Sequence, residues 1–200
     1  MRWLLLSAAV IGLSACATLP PPSHPDDLCH VFADRPSWYK AGNAASQRWQ
    51  IPLSILMATM RQESAYQAKV RPPRHYYLGF IPAARASDAY GYAQAKKAIW
   101  HDYRGDAHHS FAARDDFADA IDFIGWYDAQ AVRRDGIRHD DAYRLYLSYH
   151  EGWGGYQRHS WQHKPWLQHL AQHVADQAKR YAQQLDGCND ALAASLHHWF

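Results

Sequence analysis

Glutamate is almost missing from this chain. Nineteen residues are acidic, yet the only glutamates are Glu63 and Glu151. A sequence that used Glu to solvate its helices would scatter many, so the position of each of these two is informative. Long apolar runs are missing as well: after residue 16 no stretch is long enough to cross a bilayer as a helix. Charge of one sign is scarce, with a net of +2. That is too mild to argue for a nucleic-acid binder, and no nucleic acid is expected as a partner. No Gly-x-Ser-x-Gly elbow, phosphate-binding loop or dinucleotide fingerprint occurs. No segment alternates convincingly as a strand, and no internal repeat is visible.

Cysteine is scarce too, and its three positions mark the ends of the chain. Arg2, the apolar run Leu4 to Gly12 and the box Leu13-Ser14-Ala15-Cys16 look like a bacterial lipoprotein signal. By that resemblance residues 1–15 are a signal peptide and Cys16 is the lipidated first residue. Ala17 follows, not the Asp that marks inner-membrane retention, so a periplasmic protein anchored to the outer membrane is expected. Residues 16–36, with Pro20, Pro21, Pro22, Pro25 and Pro36, read as a semi-rigid tether. Residues 37–188 suffice for one domain with a sizeable core. Residues 189–200 read as a loosely attached tail. Cys29 and Cys188 remain, one before the first expected helix and one after the last. In an oxidising compartment they are expected to pair and tie the ends of the domain together.

The rest is dominated by helical spacing, so the expected fold is mainly α. Trp38, Ala41, Ala45 and Trp49 line one helix, stopped before Pro52. Phe117, Ile121, Ile124, Asp128 and Ala131 trace another, from about Ala113 to Asp135. A third runs to about His150, capped by Asp140 or Asp141. Leu167, Leu170, Val174, Ala178, Tyr181 and Leu185 mark a last one, from near Pro165 to Gly187. Tyr76 to Ser87 reads as an irregular loop. His169 and His173 have the i, i+4 spacing of a metal pair but lie opposite the apolar stripe. A solvated face is the expectation, and no metal or cofactor is expected.

The segment Ile51 to Gln67 carries the most chemical information. Leu53, Leu56, Met57 and Met60 follow the i, i+3, i+4, i+7 rule, with Pro52 in the first turn. Glu63 falls three residues past Met60 and seven past Leu56, beside that stripe, and Ser64 points further into it. A carboxyl held against apolar side chains loses hydration and its pKa rises. That is the setting of a general acid working near neutral pH.

Two further segments pair glycine with aromatic rings: Ser87-Asp88-Ala89-Tyr90-Gly91-Tyr92-Ala93-Gln94 and Tyr149-His150-Glu151-Gly152-Trp153-Gly154-Gly155-Tyr156. Rings offer flat faces and glycines allow close approach, a combination suited to sugars. In this order and spacing, the set resembles the transglycosylase domain of the soluble lytic transglycosylase and goose-type lysozyme superfamily. Glu63-Ser64 resembles its catalytic Glu-Ser pair, and Gly91-Tyr92-Ala93-Gln94 its Gly-Leu-Met-Gln motif. Tyr149-His150-Glu151-Gly152 stands where Tyr-Asn-x-Gly is common, with His150 in place of Asn. The segment Lys69 to Arg85 is longer than in compact members.

The resemblance implies a lysozyme-like helical fold acting as a monomer on peptidoglycan glycan strands, with cleavage between N-acetylmuramic acid and N-acetylglucosamine. Glu63 would be the catalytic acid, then the base that draws the C6 hydroxyl proton as a 1,6-anhydro ring closes. Ser64 would orient Glu63 or an acetamido group. Gly91 and Tyr92 would allow close sugar approach, while Gln94, Tyr149, His150 and Glu151 would line the cleft. Two rival readings stand beside this one. One is a hydrolytic muramidase in which Glu151 or Asp88 activates water. The other is a lipoprotein that binds peptidoglycan without cleaving it.

Overall fold

The computed structural model describes residues 19–78 and 81–196; the leader, Cys16 and residues 197–200 lie outside them. The described residues hold α1 (Leu28–Asp34), α2 (Pro36–Trp49), α3 (Leu53–Ser64), α4 (Lys97–Asp106), α5 (Phe117–Asp135), α6 (Ala142–Glu151), α7 (Trp153–Gln157) and α8 (Pro165–Leu196). A two-stranded ribbon, β1 (Arg74–Tyr77) and β2 (Ile81–Arg85), and a 3-10 turn, Ser160–His163, complete the order. The fold is mainly helical, as the periodicity predicts.

Helix α3 is the centre. Every residue from Leu53 to Met60 is buried, so its first two turns are enclosed on all faces and not along one stripe. A helix with apolar groups all round belongs inside a protein. Helices α2, α5 and α8 enclose it. Leu56, Met57 and Met60 lose all contact with solvent, each contributing roughly 1.5–3 kcal/mol of burial. The helix stops where Ala65 turns left-handed and its N–H donates to the Arg61 carbonyl. Glu63 therefore sits in the last turn, where α3 leaves the core.

The caps follow the sequence. Asp116 and Asp141 accept from the N–H groups of Asp119 and Arg144, opening α5 and α6. Gly136 ends α5 with φ +65°. In α8, Leu167, Val174, Ala178 and Tyr181 are buried, and Leu170 and Leu185 partly so.

Both ends of the domain depart from expectation. The second half of the expected tether holds α1, whose Leu28, Val31 and Phe32 are fully buried. Asp27 caps it through the His30 N–H. Leu28 N–H donates to Gln184 Oε1 at 2.8 Å, and Arg61 Nη2 lies 2.7 Å from Asp26. The density of prolines nearby hides this short helix in the sequence. At the other end, α8 continues through Gly187 to Leu196. Glycine in a helix costs about 1 kcal/mol. Leu192 packing into the core and the Tyr39 hydroxyl donating to Asn189 Oδ1 at 2.8 Å oppose that cost.

Between these ends Cys29 and Cys188 form a disulfide across a sequence separation of 159. A loop that long makes the bridge worth about 2–5 kcal/mol against the reduced chain. Replacing both cysteines with Ser should lower unfolding free energy by that amount in denaturant titration. Thiol labelling of denatured, unreduced protein should find neither cysteine free; two labelled thiols would refute the bridge.

The expected loop at Tyr76–Ser87 is instead an antiparallel ribbon, with Tyr77 opposite Ile81, Tyr76 opposite Pro82 and Arg74 opposite Arg85. A bulge between Arg74 and Tyr76 breaks the register. Proline is tolerated in strands that lack a second neighbour, and Pro72, Pro73 and Pro82 mask the pairing in the sequence. Helices α4 and α7 are not among the expected elements; the Gly154-Gly155 pair in α7 looks like a turn in the sequence.

Candidate active site

The last turn of α3, the segment 87–96, the middle of α5 and the α6–α7 junction converge on a cleft of about 650 Å3. Glu63, Gln94, Tyr149, His150 and Glu151 all line it. Three motif segments that are distant in sequence thus share one cavity. A second hollow, about 630 Å3, lies between the start of α6 and α8. Its carboxylates, Asp140 and Asp141, pair at the surface with Arg138 and Arg144, and none of the three motif segments reaches it.

Glu63 is partly exposed to the cleft, but its carboxyl is desolvated. Burial pushes its pKa up to about 7, with a hydrogen bond from Tyr146 acting the other way. The Tyr146 hydroxyl donates to Oε1 at 3.0 Å. The partial negative charge at the end of α3 also disfavours an anion there. Near pH 7 a large fraction of Glu63 therefore holds a proton.

Glu151 lies in the same cleft and is held in the opposite state. Burial alone would raise its pKa. Hydrogen bonds from Lys164 and Ser160, the Lys164 charge and His150 outweigh burial and hold it below the ordinary carboxylate value. Lys164 Nζ donates to both oxygens, at 2.8 and 2.9 Å, and the Ser160 hydroxyl donates to Oε2. His150 Nδ1 lies 3.4 Å from Oε1. Glu151 is thus a carboxylate with both oxygens engaged.

Aromatic side chains form the adjoining wall. Tyr149 donates its hydroxyl to the Ala93 carbonyl at 2.6 Å, joining the second and third motifs directly. Its ring meets Tyr127 at 4.9 Å, and Tyr127 stacks on Trp153 at 4.7 Å. Gln94 adopts φ +46° and donates its amide N–H groups to the carbonyls of Val70 and Gly91, at 3.1 and 2.8 Å.

Three of the expected site residues do not line the cleft. Ser64 is buried, and its hydroxyl donates to the Met60 carbonyl at 3.2 Å, one turn back along α3. It binds its own helix and not Glu63. Gly91 has φ +82°, and a Cβ there would stand 1.9 Å from the Arg114 carbonyl oxygen. The chain needs glycine at this point so that the backbone of Arg114 can approach, not a sugar. Tyr92 is buried in the core, with ring contacts to Trp38 at 5.8 Å and Phe117 at 5.7 Å. Together Gly91 and Tyr92 fasten the motif to the domain, Tyr92 N–H donating to Arg114 O at 3.2 Å.

Other cleft residues lie outside the motifs. Phe123 and Tyr127 line it from α5 at i, i+4 spacing, and Tyr146, buried but bonded to Glu63, precedes Tyr149 by three residues on α6. Both spacings place side chains on one helix face and were visible in the sequence. Lys164 and Ser160 gave no such signal, since only the fold brings them to Glu151.

Among the described residues no cluster of three His, Cys, Asp or Glu side chains is arranged to hold a metal. Neither the curated proteins nor the solved structures gave a match to the chain. A family model described as the transglycosylase SLT domain matches residues 4–188, and with nearly its whole length covered the chain belongs to that family.

Proposed function

We propose that this protein is a peptidoglycan lytic transglycosylase, which cleaves the β-1,4 bond from N-acetylmuramic acid to N-acetylglucosamine and leaves 1,6-anhydro ends. The observation that carries this reading is the contrast between the two glutamates of the cleft. Glu63 is poised as a proton donor. Glu151 is fully engaged by Lys164 and Ser160 and has no free oxygen to draw a proton from water.

A glycosidase that activates water normally uses two carboxyl groups. Here one must serve twice. Glu63 protonates the glycosidic oxygen as the bond to the anomeric carbon breaks. The resulting carboxylate then takes the proton from the C6 hydroxyl, whose oxygen closes the ring on that carbon. The enzyme ends with Glu63 protonated again, and no water is consumed. Tyr146 steadies the carboxylate between the two steps by donating to Oε1.

Mass spectrometry of the products released from purified sacculi tests this directly. Anhydro-muropeptides are the expected output, from wild type and from Glu151→Gln alike, even if the variant is slower. Reducing ends from the wild type, abolished by Glu151→Gln, would replace this reading with a hydrolase. No cleavage at all would favour a binding protein.

The protein is further proposed to act as a monomer in the periplasm, anchored through a lipidated Cys16 at the outer membrane. The Leu-Ser-Ala-Cys box supports this placement. Cys16→Ala should abolish acyl labelling and leave the precursor unprocessed. An unacylated wild-type protein that is soluble after fractionation would refute the anchor.

A further inference from the structure

An exposed ring that none of the motifs accounts for lies against a residue of the cleft wall. Trp166 is the second residue of α8 and is 55% exposed. The other large exposed side chains, Leu19, Leu78 and Phe111, have no ring contact with the cleft wall among the described residues. Trp166 does: its ring centre lies 5.2 Å from that of His150, with the planes at 77°. His150 lines the cleft and its side chain is 36% exposed. Two partly open rings thus continue the wall outward.

This corner is rigidly built. Lys164, two residues before Trp166, donates to both oxygens of Glu151. Ser160 donates to Glu151 and to the Gly155 carbonyl. Gln168 Nε2 donates to the carbonyls of Trp161 and Gln162, at 3.2 and 3.0 Å. The loop from α7 to α8 is therefore pinned to the cleft wall, which fixes the backbone that carries Trp166. A ring carried on a fixed backbone loses less freedom on binding. Because Nδ1 of His150 faces Glu151, the other ring nitrogen is left to bond a sugar hydroxyl or amide.

We propose that Trp166 and His150 form an additional platform that binds one more amino sugar of the glycan strand beside this wall of the cleft, so that Trp166 sets a preference for longer strands. The pyranose C–H face would stack on the indole. This rests on the glycan-cleaving reading of the cleft and adds to it a residue that chooses substrate length.

The test uses full-length Glu63→Gln protein, which binds without turnover, titrated calorimetrically with alternating N-acetylglucosamine–N-acetylmuramic acid oligomers, from disaccharide to octasaccharide. Affinity should rise with length. Adding Trp166→Ala should weaken the longest oligomers about 5- to 10-fold, as expected for loss of one aromatic contact, and leave the shortest unchanged. Trp166→Phe should recover most of the loss. Circular dichroism should show all variants folded, since the ring is largely in solvent. An unchanged length dependence in Trp166→Ala, or an equal loss at every length, would overturn the platform. Absence of binding at all lengths in Glu63→Gln itself would overturn the reading of the cleft, and the platform with it.

Discussion

Glu63→Gln should reduce release of anhydro-muropeptides from sacculi by a factor of about 10²–10⁴ or more, while the protein stays folded and binds glycan. General acid–base catalysis alone accounts for a factor of about 10²–10⁴, and here one group serves both steps. The amide keeps the size of the carboxyl and can still meet Tyr146, but has no proton to give. The wild-type rate should also fall as pH rises through about 7, because only protonated Glu63 is competent at the first step and its pKa is raised to that value. The base form arises within each turnover, so this group adds no requirement for prior ionisation and sets no acidic limb. Tyr146→Phe sharpens the assignment. The Tyr146 hydrogen bond lowers the Glu63 pKa, so removing it should move the descending limb to higher pH. A folded Glu63→Gln protein that cleaves at a near wild-type rate would show that the acid lies elsewhere.

What the sequence made legible was set by local spacing. The run from Leu53 to Met60 announces an amphipathic helix, and counting onward puts Glu63 beside its apolar stripe, in the last turn where it stands. The stripe in α8 and the caps at Asp116 and Asp141 are equally local. Tertiary contacts decided the rest. Gly187 does not stop α8, because the Cys29–Cys188 bridge, Leu192 and Asn189 hold the helix against its neighbours. Gly91 has the glycine of a ligand loop, yet its space is filled by the Arg114 carbonyl, and no local pattern names that neighbour. Ser64 shows the same limit from the other side. Its adjacency to Glu63 suggests a catalytic partner, but on a helix successive residues point in different directions, and Ser64 turns inward to Met60. Tyr146, 83 positions away in sequence, supplies the contact to Glu63 instead. The opposite states of the two glutamates were legible only for Glu63, because the stripe that desolvates it is local and the Lys164 that ionises Glu151 is not.

Asp128 should dominate the pH dependence of folding. It is 1% exposed in the middle of α5, and among the described residues neither carboxylate oxygen has a hydrogen-bond partner. Burial pushes its pKa from 3.8 up to about 8, so near pH 7 the folded protein mostly keeps it neutral. The unfolded chain releases that proton near 3.8. Between those values the folded state binds one proton more than the unfolded state, so stability falls as pH rises, by up to about 1.4 kcal/mol per pH unit for one group. The contribution is fully present below about 3.8 and lost as pH rises toward 8. Glu63 adds a slope of the same sign between 4.5 and about 7. Asp128→Asn cannot ionise and should remove the Asp128 part. Its amide must be desolvated without a partner, at roughly 1–3 kcal/mol, so at pH 4 the variant should be the less stable protein. By pH 9 the order should reverse, with the variant ahead by a few kcal/mol, because the wild type must then charge a buried carboxyl or open to solvate it. Denaturant unfolding of the disulfide-intact proteins from pH 4 to 9 measures both curves. Crossing curves are the expected result, and parallel ones would show that Asp128 finds a partner that holds its charge.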